Sequence, residues 1–78
     1  MGQRLRFTYP PRVVNEPIIW EMSREFGVVT NILRANVSKD QGWVILELEG
    51  PAEDVERAIQ WAREKGVTVE PVVGDLPD

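Results

Sequence analysis

The chain has few side chains that could carry out chemistry. Its 78 residues include no cysteine and no histidine, which removes disulfides, thiol nucleophiles, the commonest general base and the commonest metal ligands. Carboxylates are the remaining candidates for catalysis, and Glu47 and Glu49 are close enough in sequence to act as a general acid and a general base. Both are expected on a solvated sheet face opposite arginines, where ionised carboxylates make poor acids. We therefore predict no enzyme, no catalytic residue, no metal and no cofactor.

The composition is that of a small soluble domain. Hydrophobic residues make up 42% of the chain and charged residues 28%, as in globular proteins. No apolar run approaches the ~20 residues that a membrane span needs, and the sequence contains no recognisable signal peptide. We expect one cytoplasmic domain over 1–73, a flexible tail over 74–78 and no membrane insertion. Without disulfide or metal, so short a chain can gain stability from a very regular core or from self-association, and a homodimer is expected.

Charge is unevenly distributed along the chain. Residues 1–39 hold six Lys and Arg against three acids, whereas residues 40–78 hold three against ten, for a net charge of −4. These charges either pair across strands and solvate helix faces, or form a local cationic site for an anionic ligand. The net negative charge of the whole chain argues against nucleic-acid binding.

The hydrophobic pattern predicts four strands and two helices. Strands alternate polar and apolar residues or are rich in β-branched ones. Pro17 and Pro51 stand at helix starts, with Asn15 as a capping side chain, and Gly27 and Gly66 mark helix ends. The predicted strands are 4–9, 28–37, 43–49 and 67–70, and the predicted helices are 16–26 and 51–65.

This order, β-α-β-β-α-β, predicts an α+β ferredoxin-like sandwich, in which two helices cover one face of a four-stranded antiparallel sheet. Strand one then lies between strands three and four. On the sheet face that is turned away from the helices, Arg4 and Arg6 of strand one are expected to face Glu47 and Glu49 of strand three. The predicted helical core stripes are Ile18, Ile19, Met22 and Phe26 in the first helix and Val55, Ala58, Ile59 and Ala62 in the second.

An ordered set of short segments resembles one known family. The run Val29–Leu33 contains Asn-Ile-Leu and follows a helix that ends at Phe26 and Gly27. Further agreement lies in Glu16–Ile19, Gly42–Trp43, Leu46–Gly50 and Lys65–Glu70. Over residues 4 to about 71 the chain resembles the NIL domain family, which is named after that Asn-Ile-Leu signature.

The resemblance implies a regulatory ligand-binding module. Such domains lie at the C-terminus of methionine-importer ATPases, where they are thought to dimerise, bind methionine and restrain transport. A second branch accompanies iron–sulfur ferredoxin modules and sulfur amino-acid metabolism, and the short loop Ser38–Gly42 resembles that branch. No phosphate-binding loop and no cysteine occur here, so neither the ATPase nor the redox function transfers.

By the same resemblance the ligand site centres on Asn31, with Ile32 and Leu33 beside it. An amino acid needs donors for its carboxylate, acceptors for its ammonium group and an apolar slot. The amide of Asn31 both donates and accepts, and Arg34 could pair with a carboxylate. The alternatives are that Asn31 satisfies a loop backbone and that Arg34 is a solvated strand residue.

The tryptophans form the second group of candidates. Trp20 and Trp61 could cover the groove between the helices, or contribute to an association surface. Trp43 and Ile45 are predicted to be apolar groups on the open sheet face, and we assign Trp43, Ile45 and Trp20 to an interaction surface. RNA binding through Trp43 is not predicted, because strand three lacks the basic and aromatic RNP1 pattern.

Two functions therefore compete. The first is a non-catalytic module that binds methionine or a related sulfur amino acid at a homodimer interface. The alternative is a protein-interaction subunit that docks on a sulfur amino-acid enzyme or a separate ferredoxin, favoured by the short loop and by the open-face pair Trp43 and Ile45.

Overall fold

The predicted architecture is confirmed. A computed structural model describes residues 2–11, 17–38 and 41–73. The elements are β1 (Gly2–Tyr9), α1 (Ile18–Phe26), β2 (Val29–Val37), β3 (Gly42–Glu49), α2 (Ala52–Glu64) and β4 (Thr68–Pro71). Together they form a ferredoxin-like α+β sandwich. The predicted capping residue Asn15, part of the hairpin loop and the predicted tail 74–78 lie outside the described residues.

The sheet is antiparallel with strand order β2-β3-β1-β4. As expected, β1 lies between β3 and β4. Its register places Arg4 opposite Glu47, and Phe7 between Val44 of β3 and Val69 of β4. Because side chains in a strand alternate between faces, this register also decides which residues meet on each face.

The core lies between one sheet face and the two helices. Alternate residues of β1, β3 and β4 point into it, together with the predicted helical stripes. Of those stripes, Ile19, Phe26 and Ile59 are only partly buried and pack against the core. The fully packed members are Leu5, Phe7, Tyr9, Ile18, Met22, Val28, Val44, Leu46, Leu48, Val55, Ala58, Ala62, Val67 and Val69.

The first helix ends in a glycine with left-handed backbone. Gly27 has φ 65°, and its N–H donates to the Ser23 carbonyl at 3.0 Å. The Ser23 hydroxyl donates to the Val28 carbonyl at 2.7 Å. The first bond satisfies a carbonyl of the last helical turn, and the second ties the helix to the residue before β2, so that the chain turns directly into that strand. Position 31 is thereby set five residues after the end of the helix.

Strand β2 is an edge strand that the helices leave largely uncovered. Among the described strands it has a neighbour, β3, on one side only. Most of its side chains are exposed, including the large apolar Val29, Ile32 and Val37. An accessible apolar strand edge of this kind is a template for pairing with another chain. Within the described part of the chain, neither helix has the length and apolar character required to span a membrane.

Candidate functional site

The outer face of the sheet, the face turned away from the helices, collects polar side chains from all four strands. Strand register arranges them in rows that cross the sheet, which we number one to four. The rows are Val29, Glu49 and Gly2; Asn31, Glu47 and Arg4; Arg34, Ile45, Arg6 and Glu70; and Asn36, Trp43, Thr8 and Thr68.

Row two joins the motif residue to an ion pair. Asn31 on the edge strand stands opposite Glu47, whose carboxylate lies 3.6 Å from the Arg4 guanidinium. The Nε of Arg4 is buried and finds no hydrogen-bond partner among the described residues. One strip of the sheet thus offers an amide, a carboxylate and a guanidinium, which are the groups that complement an amino-acid zwitterion.

The structure separates the four residues predicted for the ligand site. The pairing register between β2 and β3 shifts by one residue between Ile32 and Arg34, so Leu33 forms a β-bulge. Asn31 and Arg34 consequently share the outer face, whereas Ile32 lies on the helix side with 54% of its surface exposed. Leu33 is half-buried at the bulge. A bulge re-aims neighbouring side chains, and here it brings Asn31 and Arg34 to the same face at a spacing of three.

The residue pairs of row three contradict two expectations. Arg6 does not face Glu49. Because β1 and β3 are antiparallel and Arg4 lies opposite Glu47, Arg6 lies opposite Ile45. Ile45 is not an accessible apolar group either, since only 1% of its surface is exposed. Arg6 and Arg34 flank it on the neighbouring strands, and the aliphatic stems of arginine cover apolar surface readily.

The tryptophans have separate environments. Trp43 is half-buried, and the Arg6 guanidinium lies over it, with its central carbon 5.1 Å from the centroid of the Trp43 ring. Trp61 packs edge-on against Phe26 at 5.9 Å and covers the groove between the helices. Trp20 does not cover that groove: it is 59% exposed, with the Arg24 guanidinium 4.5 Å from its ring centroid.

Described residues line two open cavities beside the sheet, among others. One, of about 700 Å³, lies beside α2 and mixes acids with bases, including Glu53 and Arg57. The other, of about 510 Å³, lies at the hairpin end of the outer face and includes Trp43 and Arg6. Burial raises the pKa of Tyr9, at the rim of this second cavity, to about 12, so its phenol stays protonated at neutral pH. Within the described ranges no cluster of acidic side chains could hold a metal ion.

These features define a small ferredoxin-like α+β domain with a polar outer sheet face and an open edge strand. The family model for the NIL domain matches residues 3–71. The chain belongs to the NIL domain family.

Known proteins resemble the chain in sequence and in fold. It is 30% identical over 77 residues to the methionine import ATP-binding protein MetN of Halalkalibacterium halodurans, covering 94% of this chain and 23% of that protein. It is 32% identical over 66 residues to the L-aspartate semialdehyde sulfurtransferase iron-sulfur subunit of Methanocaldococcus jannaschii, covering 85% of this chain and 50% of that protein. The chain thus spans half or less of these curated relatives.

A solved structure shares the fold. The C-terminal domain of an ABC transporter ATP-binding protein from Enterococcus faecalis superposes with a TM-score of 0.81 at 22% identity. The match covers 95% of this chain and 87% of that chain. The two chains therefore have the same arrangement of helices and strands over nearly their whole length.

Sequence reasoning missed the polar residues at the hairpin end of the outer face. Thr8 and Asn36 flank Trp43 in row four, and Gln41 lines the same cavity. The alternation of β1 already placed Thr8 on the face of Arg4 and Arg6. Alternation groups Asn36 with Arg34, but strict alternation counted from Asn31 puts Asn36 on the wrong face, because the bulge at Leu33 shifts the faces of the second half of β2.

Proposed function

We propose that the chain is a non-catalytic regulatory module that binds methionine or a related sulfur amino acid at a homodimer interface. The observation that carries the proposal is row two, where Asn31 stands beside the Arg4–Glu47 ion pair at an open sheet edge. Family membership supports it, as does the similarity to MetN, whose name states methionine import.

The open edge supports dimerisation. Strand β2 presents backbone groups along one side and exposed apolar side chains on both faces. Pairing with a second β2 would satisfy those backbone groups and bury the apolar side chains. A ligand held at Asn31 would then lie next to the partner chain, so that ligand binding and dimerisation become linked.

Row two supplies the chemistry for an amino acid. The Glu47 carboxylate can accept from the ligand's ammonium group, and the Asn31 amide can donate to its carboxylate. Arg34 lies on the same face across the bulge, within the next row. The thioether side chain would lie against apolar groups of the edge strand, of which Val29 in row one is 61% exposed.

Replacing Asn31 with alanine is expected to weaken methionine binding by about tenfold or more, because a polar contact with a charged ligand group is lost. Isothermal titration calorimetry measures this directly. Thr30→Ala is the matched control, since Thr30 is the polar neighbour on the same strand but lies on the helix side of the sheet, opposite Leu48. Equal affinities for Asn31→Ala and the unchanged chain would contradict the proposed site.

Replacing Ile32 with lysine is expected to convert a dimer into a monomer, because a charge would be placed on the apolar side of the pairing edge. Sedimentation-velocity centrifugation over a concentration series reports the change. Val73→Lys is the control, because Val73 is 89% exposed and lies away from β2. A wild-type chain that stays monomeric throughout the series would refute the proposed dimer.

A second candidate is a protein-interaction subunit that docks on a sulfur amino-acid enzyme or a separate ferredoxin. The similarity to an iron-sulfur subunit favours it, and the exposed Trp20 offers an aromatic anchor. Thermal unfolding separates the two candidates. Methionine at about 100 times its Kd would stabilise the chain by about 2.7 kcal/mol, whereas no shift with any sulfur amino acid would favour the docking role.

A further inference from the structure

The cavity at the hairpin end of the outer face is built from polar donors around one aromatic side chain. It measures about 510 Å³, which lies within the range of small-molecule sites. Its walls come from β1, from row four and from the β2–β3 hairpin. The described lining residues are Arg6, Thr8, Tyr9, Pro11, Asn36, Ser38, Gln41, Gly42 and Trp43.

The described lining residues of the cavity carry one positive charge, that of Arg6, and include no acidic side chain. Arg4, Arg24 and Arg57 each have a carboxylate oxygen within 3.6 Å. No such ion pair is found for Arg6 within the described part of the chain, although Glu70 stands opposite it on β4.

The Arg6 guanidinium is held by Trp43 instead. Its central carbon lies 5.1 Å from the centroid of the Trp43 ring, a cation–π distance. A guanidinium positioned in this way keeps its N–H donors available to an anion while its position is restrained. The contact therefore prepares the donor group for a ligand and reduces the entropy lost on binding.

We propose that this cavity binds a small organic monocarboxylate. The planar fork of one guanidinium matches one carboxylate in charge and geometry, whereas the described lining residues include no second cation to balance a phosphate dianion. Thr8, Asn36 and Gln41 provide further donors at the rim. The apolar body of the ligand lies against the indole of Trp43.

This site is distinct from the one proposed at Asn31. Trp43 and Glu47 are four residues apart on β3, which separates their rows by about 14 Å along the strand. The described lining residues of the cavity include neither Asn31 nor Glu47. Failure of one proposal consequently leaves the other intact.

Benzoate is the probe for this site, because it combines one carboxylate with a flat apolar ring. In a heteronuclear NMR titration of the ¹⁵N-labelled chain, benzoate is expected to shift the indole N–H signal of Trp43 in a saturable way. The signal of Trp20 is the internal control: Trp20 also lies under an arginine, Arg24, but neither residue belongs to the described lining of this cavity. Equal shifts of both signals, or none, would overturn the proposal.

Two substitutions at Arg6 test the chemistry. Arg6→Gln is expected to weaken benzoate binding by roughly tenfold or more, and Arg6→Lys to weaken it less, since lysine keeps the charge and loses the fork. Arg24→Gln, which removes a guanidinium that lies over Trp20, is expected to leave the affinity unchanged. Inorganic phosphate binding more tightly than benzoate, or Arg24→Gln losing as much as Arg6→Gln, would refute a monocarboxylate site at Arg6.

Discussion

Replacing Phe7 with alanine is expected to lower the free energy of unfolding by about 3–5 kcal/mol. Phe7 is fully buried in the central strand β1, in register with Val44 on one side and Val69 on the other. Removing its ring leaves a cavity between the sheet and the helices that close packing prevents from collapsing. Because small domains have total stabilities of only about 5–15 kcal/mol, much of this variant is expected to be unfolded at physiological temperature.

Phe26→Ala is the matched comparison for Phe7→Ala. Phe26 is only partly buried at the end of α1, where its ring meets Trp61 at 5.9 Å. Its loss is expected to cost about 1–2 kcal/mol, from the aromatic contact and a smaller buried area. Urea denaturation monitored by circular dichroism gives both values. Similar losses for the two variants would contradict the assignment of Phe7 to the centre of the core.

The fold was predictable because each element follows one hydrophobic period. Ile18 and Met22 repeat at helical spacing, and Val44, Leu46 and Leu48 repeat at strand spacing; the structure buries all five. Alternation reports which residues share a face, but it does not report how far two strands slide past each other. The expectation that Arg6 meets Glu49 failed for that reason.

The site was predictable only in part. The resemblance pointed to Asn31, and the structure places it on the outer face beside Glu47. The bulge at Leu33, which moves Arg34 to that same face, is marked only by the adjacent apolar pair Ile32 and Leu33, and this break in alternation does not say which residue is extra. The cation–π contact of Arg6 leaves no mark in the alternation, because Arg6 and Trp43 are 37 positions apart in the sequence.

Replacing Ile45 with alanine is expected to lower the free energy of unfolding by about 2–4 kcal/mol. Glutamates on the same strand face mark that face as solvated, yet Ile45 has only 1% of its surface exposed and lies outside the main core. Truncation would leave a void between the two flanking arginines, Arg6 and Arg34. The outer face therefore contributes a buried apolar side chain of its own to stability.

Ile32→Ala distinguishes the effect of burying Ile45 from a general preference of strands for isoleucine. Ile32 is the same residue type on the neighbouring strand, but 54% exposed, so its truncation is expected to cost no more than about 0.5 kcal/mol in the monomer. Chemical denaturation at several protein concentrations separates the effects: the loss for Ile45→Ala stays constant, whereas any interface contribution of Ile32 grows with concentration. If both losses were small at every concentration, arginine stems would not bury Ile45 in solution, and the outer face would be an open apolar surface after all.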